Sequence, residues 1–331
     1  MWFRLSTGSW EALSAVWVNE MNCLGLDTSN YTTSIALFTG EGGENCSRLL
    51  DVRPGELGLR QSDALFLHVK RLPELAAQLF EKFPEQAVSA IGVSTRPRAV
   101  DGSYMPCFLA GQSQAEVLAA ALRVPLYPFS HQQGHIAASL WSAGRLDLME
   151  TAHLAWHLSG GTTELLLVEP EGRSVRATRI GGTNDISAGQ LIDRTGKLLG
   201  LPFPAGKALD AKSREAEGAE FFRVTCRNQT FSLSGVENQV QAYYEKTGSA
   251  AETASFALRS VICAVMQATG QARKEYPGLQ VVYAGGVSSN SLLRELEQDA
   301  IFCEPRYATD NAMGVAILAW LQENQHGSSN L

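Results

Sequence analysis

The 331-residue sequence predicts a duplicated α/β architecture with a cleft between two domains. Two observations carry that prediction. Residues 22–38 and 153–169 each contain two adjacent apolar, strand-like segments joined at a polar turn. After each pair the pattern continues into alternating strands and helices, and the length is enough for two domains that each bury a core. No close sequence repeat is visible.

The elements follow in order. Residues 23–27 are apolar and 32–38 are rich in β-branched side chains, so two strands are expected around a tight turn at Asn30-Tyr31. Residues 39–60, with several glycines, a proline and mixed charge, read as a loop. Residues 62–83 have helical periodicity broken by Pro73. Residues 90–94 read as a short buried strand, and 111–122 as an Ala-rich helix stopping before Pro125. In the second half, strands are expected at 153–158, 164–169, 175–180 and 279–284. Helices are expected at 188–199, 254–276, 291–297 and about 311–323, with a turn at Gly285-Gly286.

Composition excludes several classes. Hydrophobic residues make up 45% and charged residues 18%, a folded rather than disordered profile. No apolar run is long enough for a membrane helix. The six cysteines are scattered without a C-x-x-C pair, which argues against a zinc ribbon or a disulfide framework and makes a reducing cytoplasm the expected setting. A net charge of −7 means that RNA binding would need a local patch. Residues 1–20 carry three tryptophans and no signal-peptide pattern, whereas Met21 opens a natural first strand. The expectation is that 1–20 are an extension ahead of the natural start, the alternative being an amphipathic N-terminal helix.

Four motifs carry candidate chemistry. His131-Gln-Gln-Gly-His135 places two imidazoles one turn apart on a helix face, near enough to share a divalent ion. Such pairs also occur as plain solvated residues, and Gln132 stands where a zinc protease would have its glutamate. Ser159-Gly160-Gly161 joins two apolar strands and reads either as a phosphate-holding turn or as a plain hairpin. Gly285-Gly286 to Asn290 follows a buried strand and precedes a helix, a setting suited to an anionic ligand. Asp310 opens the last helix, as a metal ligand or simply an N-cap.

In this order and spacing the motifs resemble the tRNA threonylcarbamoyladenosine synthase family, the threonylcarbamoyl transferases once called O-sialoglycoprotein endopeptidases. The resemblance runs from Asn22 to Trp320 and includes Leu24-Gly-Leu-Asp-Thr-Ser29, the Asp193–Gly206 segment, Phe231-Ser-Leu-Ser-Gly235 and Thr309-Asp-Asn311. It implies the duplicated actin/Hsp70/sugar-kinase-like (ASKHA) fold with an interdomain nucleotide cleft. The implied division is residues 1–20 as extension, 21–128 plus 307–331 as the first domain and 129–306 as the second. The implied metal ligands, for iron or zinc, are His131, His135 and Asp310. The resemblance sets Ser159, Gly160 and Gly161 against the phosphate of ATP or threonylcarbamoyl-adenylate. It sets Asp193, Gly206, Asp210 and Asn290 around the adenosine. No catalytic side chain is assigned.

The implied activity is transfer of a threonylcarbamoyl group to N6 of adenosine in tRNA, metal-assisted, in the cytoplasm. Implied partners are tRNA and accessory proteins such as a degenerate homologue and a small ATPase, with no membrane. Arg53, Arg60, Lys70, Arg71, Arg96 and Arg98 are candidates for an RNA-facing patch. Several positions depart from the family pattern. Residues 27–33 lack two acidic side chains, Thr162 replaces a histidine, Glu164 a glutamine and Gln190 a glutamate. Residues 95–102 replace a glycine-proline-rich loop. The alternatives are therefore an ATP-dependent carbamoyl transferase or ATPase of the same fold, and a non-catalytic nucleotide-binding partner. Peptidase activity is rejected, because no general base or nucleophile-base pair accompanies the histidines.

Overall fold

The computed structural model describes residues 21–29, 32–51, 59–304, 307 and 312–328, with side chains to 324. The first sheet comprises β1 (Asn22–Asp27), β2 (Thr32–Phe38), β3 (Gly43–Leu49), β4 (Val88–Arg96) and β5 (Leu126–Ser130) in the order β3-β2-β1-β4-β5. β1 to β3 are antiparallel neighbours, whereas β4 and β5 run parallel to β1. Helices α1 (Gln61–Lys82), α2 (Phe108–Leu122) and α3 (His131–Ser142) complete this half of the chain.

The second sheet comprises β6 (His153–Leu158), β7 (Thr163–Glu171), β8 (Ser174–Thr183), β9 (Thr230–Phe231), β10 (Val281–Ala284) and β11 (Ile301–Phe302). Its order is β11-β10-β6-β7-β8-β9. Read from β8 to β11, the strand order and senses repeat those of the first sheet: two antiparallel steps, then two parallel ones. The duplication absent from the residues is thus present in the topology. Helices α4 (Ala188–Leu198), α5 (Gly206–Ser213), α6 (Ser234–Thr247), α7 (Ala250–Glu275) and α8 (Ser291–Leu296) belong to the second half. The last helix, α9 (Met313–Ser328), returns to pack on the first sheet.

That return is made by close backbone contact. A Cβ on Gly314 would lie 1.8 Å from the Gly134 carbonyl oxygen, so α9 and α3 cross with no room for a side chain. Ala312, Val315, Ala316 and Ala319 of this return are buried with Cys23, Ala36 and Ala90 of the first sheet. The chain end thereby fixes α3, the helix that starts with His131.

Two expectations need correction. Residues 43–49 form an edge strand, not a loop. Among the described residues β3 pairs only with β2 and buries little besides Cys46, so its sequence lacks the apolar alternation that marks half-buried strands. α1 also runs unbroken through Pro73. Leu72, Leu75 and Leu79 are buried, at ~1.5–3 kcal/mol for each fully buried leucine, comparable with the cost of ~3 kcal/mol for an interior proline. Pro73 itself lies on the exposed face, where water can reach the carbonyl that loses its donor. β5, α5 and α6 carry little sequence signal. β5 holds Pro128, and α6 buries only Val236 and Val240. The Asn30-Tyr31 turn and residues 1–20 lie outside the described residues.

Candidate functional site

Ser130 ends β5 and caps α3. Its hydroxyl accepts from Gln133 N at 3.2 Å while Gln133 Oε1 accepts from Ser130 N at 2.8 Å, a complete capping box. Gln133 Nε2 also donates to Ser174 Oγ and the Val175 carbonyl of β8, tying the helix start to the second sheet. His131 and His135 therefore leave a fixed helix terminus. Their Nε2 atoms lie 2.9 Å apart and their rings meet edge to face.

Asp27, at the end of β1 and 1% exposed, holds His131 from behind. Its Oδ2 is 2.7 Å from His131 Nδ1, and its Oδ1 accepts from Ser29 N at 2.7 Å. An N–H on Nδ1 leaves the Nε2 lone pair directed at His135, the tautomer a metal ligand needs. His157 of β6 lies against His135, with ring centroids 5.2 Å apart. Asp310, the expected third ligand, lies outside the described residues. Among the described residues no group of three or more His, Cys, Asp or Glu side chains is arranged to hold an ion.

A second feature is a cavity of about 500 Å³ formed by residues of the second half. Gly160, Gly189, Asp193, Gly206, Lys207, Asp210, Gly286, Ser289 and Asn290 line it, with Ile192, Pro204, Leu258 and Val287 as apolar walls. The fold thus gathers Gly160, Asp193, Gly206, Asp210 and Asn290 from four places: the β6–β7 turn, α4, α5 and the cap of α8. Ser159 and Gly161 are not part of this lining. Ser159 closes the β6–β7 hairpin, its N–H donating to Thr162 O at 2.8 Å and its hydroxyl accepting from Thr162 N at 3.1 Å.

The polar lining is already organised. Asn290 donates to Asp210 Oδ1 at 2.7 Å and caps α8 by accepting from Leu293 N at 3.1 Å. The Asn290 side chain therefore braces the pocket wall, with both amide groups engaged. Asp210 also accepts from Ser291 Oγ at 3.0 Å. Asp193 Oδ1 accepts from Ala205 N at 2.8 Å and so holds the turn that opens α5.

Of the glycines singled out in the sequence motifs, the backbone requires Gly285 but not Gly160 or Gly206, and it also requires Gly189. A Cβ at Gly160 or Gly206 would meet open space. At Gly189 it would lie 2.5 Å from Gly160 Cα, and at Gly285, where φ is +94°, 2.2 Å from the Leu158 carbonyl oxygen. Ser187 completes this corner by capping α4 and donating to Gly160 O at 2.6 Å. Gln190 completes the same capping box, a task that glutamine and glutamate perform alike.

Sequence reasoning did not single out Asp27 as a partner for His131, nor Arg98 for Glu164. A polar residue ending a fully apolar strand was the only available sign of Asp27; nothing local paired the other two. Arg98 Nη2 lies 2.5 Å from Glu164 Oε1, and Arg71 lies 2.5 Å from Asp51. Two members of the proposed RNA patch are thus engaged in ion pairs. Lys70 sits over the Phe66 ring at 5.5 Å, Arg60 and Arg96 are exposed, and Arg53 lies outside the described residues.

Two sheets of one topology, with paired imidazoles beside them and a pocket walled by glycine turns, define an actin/sugar-kinase-type (ASKHA) α/β protein. The fold is similar to full-length HypF in its phosphate- and nucleotide-bound form (TM-score 0.57, 14% identity, 92% of this chain and 55% of that one). It is also similar to the ADPNP-bound activator of the 2-hydroxyisocaproyl-CoA dehydratase from Clostridium difficile (TM-score 0.51, 14% identity, 94% and 98%). The chain belongs to the tRNA N6-adenosine threonylcarbamoyltransferase (TsaD) family, whose sequence profile matches residues 61–317. Relatives of that name are 31% identical in Thermus thermophilus, over 95% of this chain and 94% of the relative, and 30% identical in Carboxydothermus hydrogenoformans, over 88% and 90%. Among the described residues no helix is long and apolar enough to cross a membrane.

Proposed function

We propose that this chain transfers a threonylcarbamoyl group from threonylcarbamoyl-adenylate to N6 of adenosine in tRNA. The observation that carries the reading is the family match over residues 61–317. The convergent Nε2 atoms of His131 and His135, braced by Asp27, support a metal-assisted form of it. A 2.9 Å separation suits two nitrogens that share an ion at about 2.0–2.1 Å each, so the residues fit the group. His131 and His135 would hold iron or zinc, with Asp310 as the third ligand. When bound, that ion supplies a Lewis acid for the carbamoyl oxygen and its developing negative charge.

In the transfer, a bond forms between adenine N6 and the carbamoyl carbon, and the bond from that carbon to the phosphate oxygen breaks. AMP leaves, and N6 gives up one proton. The chain's own contribution is orientation. The 500 Å³ pocket is of a size for a nucleotide; Asp193 and Asp210 in its lining would suit the ribose, and the Gly160 and Gly286 backbones the phosphate. Exposed Arg60 and Arg96 would serve tRNA docking, and accessory proteins of the kind named above would complete the reaction system. Thr162 and Glu164, which differ from the family pattern, favour as a second reading the same pocket with another acceptor.

Mass spectrometry of tRNA nucleosides, with this chain as the sole transferase in a reconstituted system, tests the reading. Threonylcarbamoyladenosine is the expected product. ATP turnover without the modified nucleoside would support the second reading, and metal and nucleotide binding without turnover the non-catalytic one.

A further inference from the structure

Arg98 belongs to the loop after β4 in the first sheet, and Glu164 to β7 in the second. Their side chains nonetheless meet at 2.5 Å, and the Glu164 side chain is only 13% exposed. Both ends of this contact are anchored. The Pro97 carbonyl accepts from Gln132 N at 3.1 Å, which pins the Arg98 loop to the first turn of α3 beside His131. Glu164 follows Thr163, whose hydroxyl accepts from Ala188 N at 2.8 Å, and stands directly across the ladder from His157.

Arg179 lies 3.7 Å from the same carboxylate but is itself held by the Gly181 and Thr183 carbonyls, all within the second sheet's own segment. It braces the Glu164 side chain from within the second sheet and does not span the two halves. Arg98 is the partner that spans them.

We propose that Arg98 and Glu164 are a positioning pair, an interdomain clasp. It holds the histidine-bearing start of α3 in register with the β6–β7 turn that carries Gly160. Glu164 is 13% exposed and Arg98 49% exposed, so the pair is shielded from water on its carboxylate side alone and its effect is modest. Neither side chain touches the bound nucleotide in this scheme. They act by keeping the two walls at the separation a ligand needs, and the ligand-linked part of the proposal rests on the nucleotide reading above.

The test uses the full chain with Arg98→Ala, Glu164→Gln and the double variant, followed by calorimetry with ATP and small-angle X-ray scattering. Each single variant is expected to weaken ATP binding about threefold to tenfold by lowering the closed population, and to enlarge the radius of gyration, with the melting temperature nearly kept. The double variant should be no worse than Glu164→Gln alone, which already removes the Arg98 contact together with that of Arg179. Losses that add, or unchanged affinity and scattering in both singles, would overturn the clasp. Glu164→Gln keeps the side-chain shape, so it remains informative if Arg98→Ala fails to fold. Failure of the wild type to bind ATP would overturn the nucleotide reading instead, and scattering alone would then judge the clasp.

Discussion

Asp27 Oδ2 lies 2.7 Å from His131 Nδ1, joining the buried end of β1 to the first residue of α3. The same carboxylate accepts from Ser29 N through its other oxygen, so each oxygen has a distinct task. This decides which nitrogen of His131 faces His135.

Asp27→Asn should therefore impair the metal site without disturbing the fold. Asparagine has one acceptor oxygen, and with that oxygen kept on Ser29 N its NH2 group faces His131. The imidazole must then carry its proton on Nε2, the position a metal needs. Zinc or iron affinity is expected to fall about 10–100-fold, as read by competition with a chelator, with an unchanged circular dichroism spectrum. Unchanged affinity would show that Asp27 has no part in orienting His131.

Gly160→Val and Gly285→Ala should separate ligand binding from folding. A Cβ at Gly160 meets open space, so the melting temperature should stay within a few degrees while ATP binding is lost. Gly285→Ala forces a left-handed φ of +94° on alanine and drives its Cβ toward Leu158 O, so a stability loss of about 1–3 kcal/mol or more is expected. Denaturant unfolding and calorimetry on both variants check this. Equal effects on stability would contradict it.

Asp185 anchors the start of α6. Burial would raise its pKa, but hydrogen bonds from Ser232, Ser234 and Leu233 outweigh that and hold it well below the usual carboxylate range. A depressed folded pKa means stability that is complete above the unfolded value of 3.8 and lost as pH falls below it. Asp185→Asn should thus be destabilised relative to wild type at pH 7, with the gap closing below about pH 4. A gap independent of pH, measured by urea midpoints, would point to packing instead.

His153 is fully buried at the start of β6, and burial lowers its pKa below 6.5. The unfolded chain then binds the proton first, so wild-type stability should decline as pH falls from about 6.5 toward the folded pKa. His153→Gln, which stays neutral, should show a flatter profile across that window. Identical profiles in thermal melts from pH 7.5 to 5 would show that His153 does not contribute.

Much of this molecule is legible locally. β1, β2, β6, β7, β8 and α7 follow from apolar pattern and β-branching; β1, β2 and β6 are near-continuous runs buried on both faces, and α7 is a long, largely buried helix. The His131–His135 spacing and the glycine turns are equally local, whereas the fold brings Gly160, Gly206 and Asn290 to one pocket. β3, β5 and α6 escaped because edges and polar helices bury too little to leave a pattern. The strand signal also fails at Pro128 and the helix signal at Pro73, where neighbours on the sheet or the core face outweigh local preference.

The sequence by itself determined the order of elements, the pair of imidazoles one turn apart and the kinship of the chain, because each depends on residues near one another or on their order. Only the tertiary structure decided that Asp27 stands behind His131, that Asn290 braces Asp210, that Gly189 is the glycine Gly160 needs, and that Arg98 reaches Glu164. These contacts span 29 to 104 residues of chain. Their geometry is set by how two sheets and the returning α9 pack, and no local propensity encodes that.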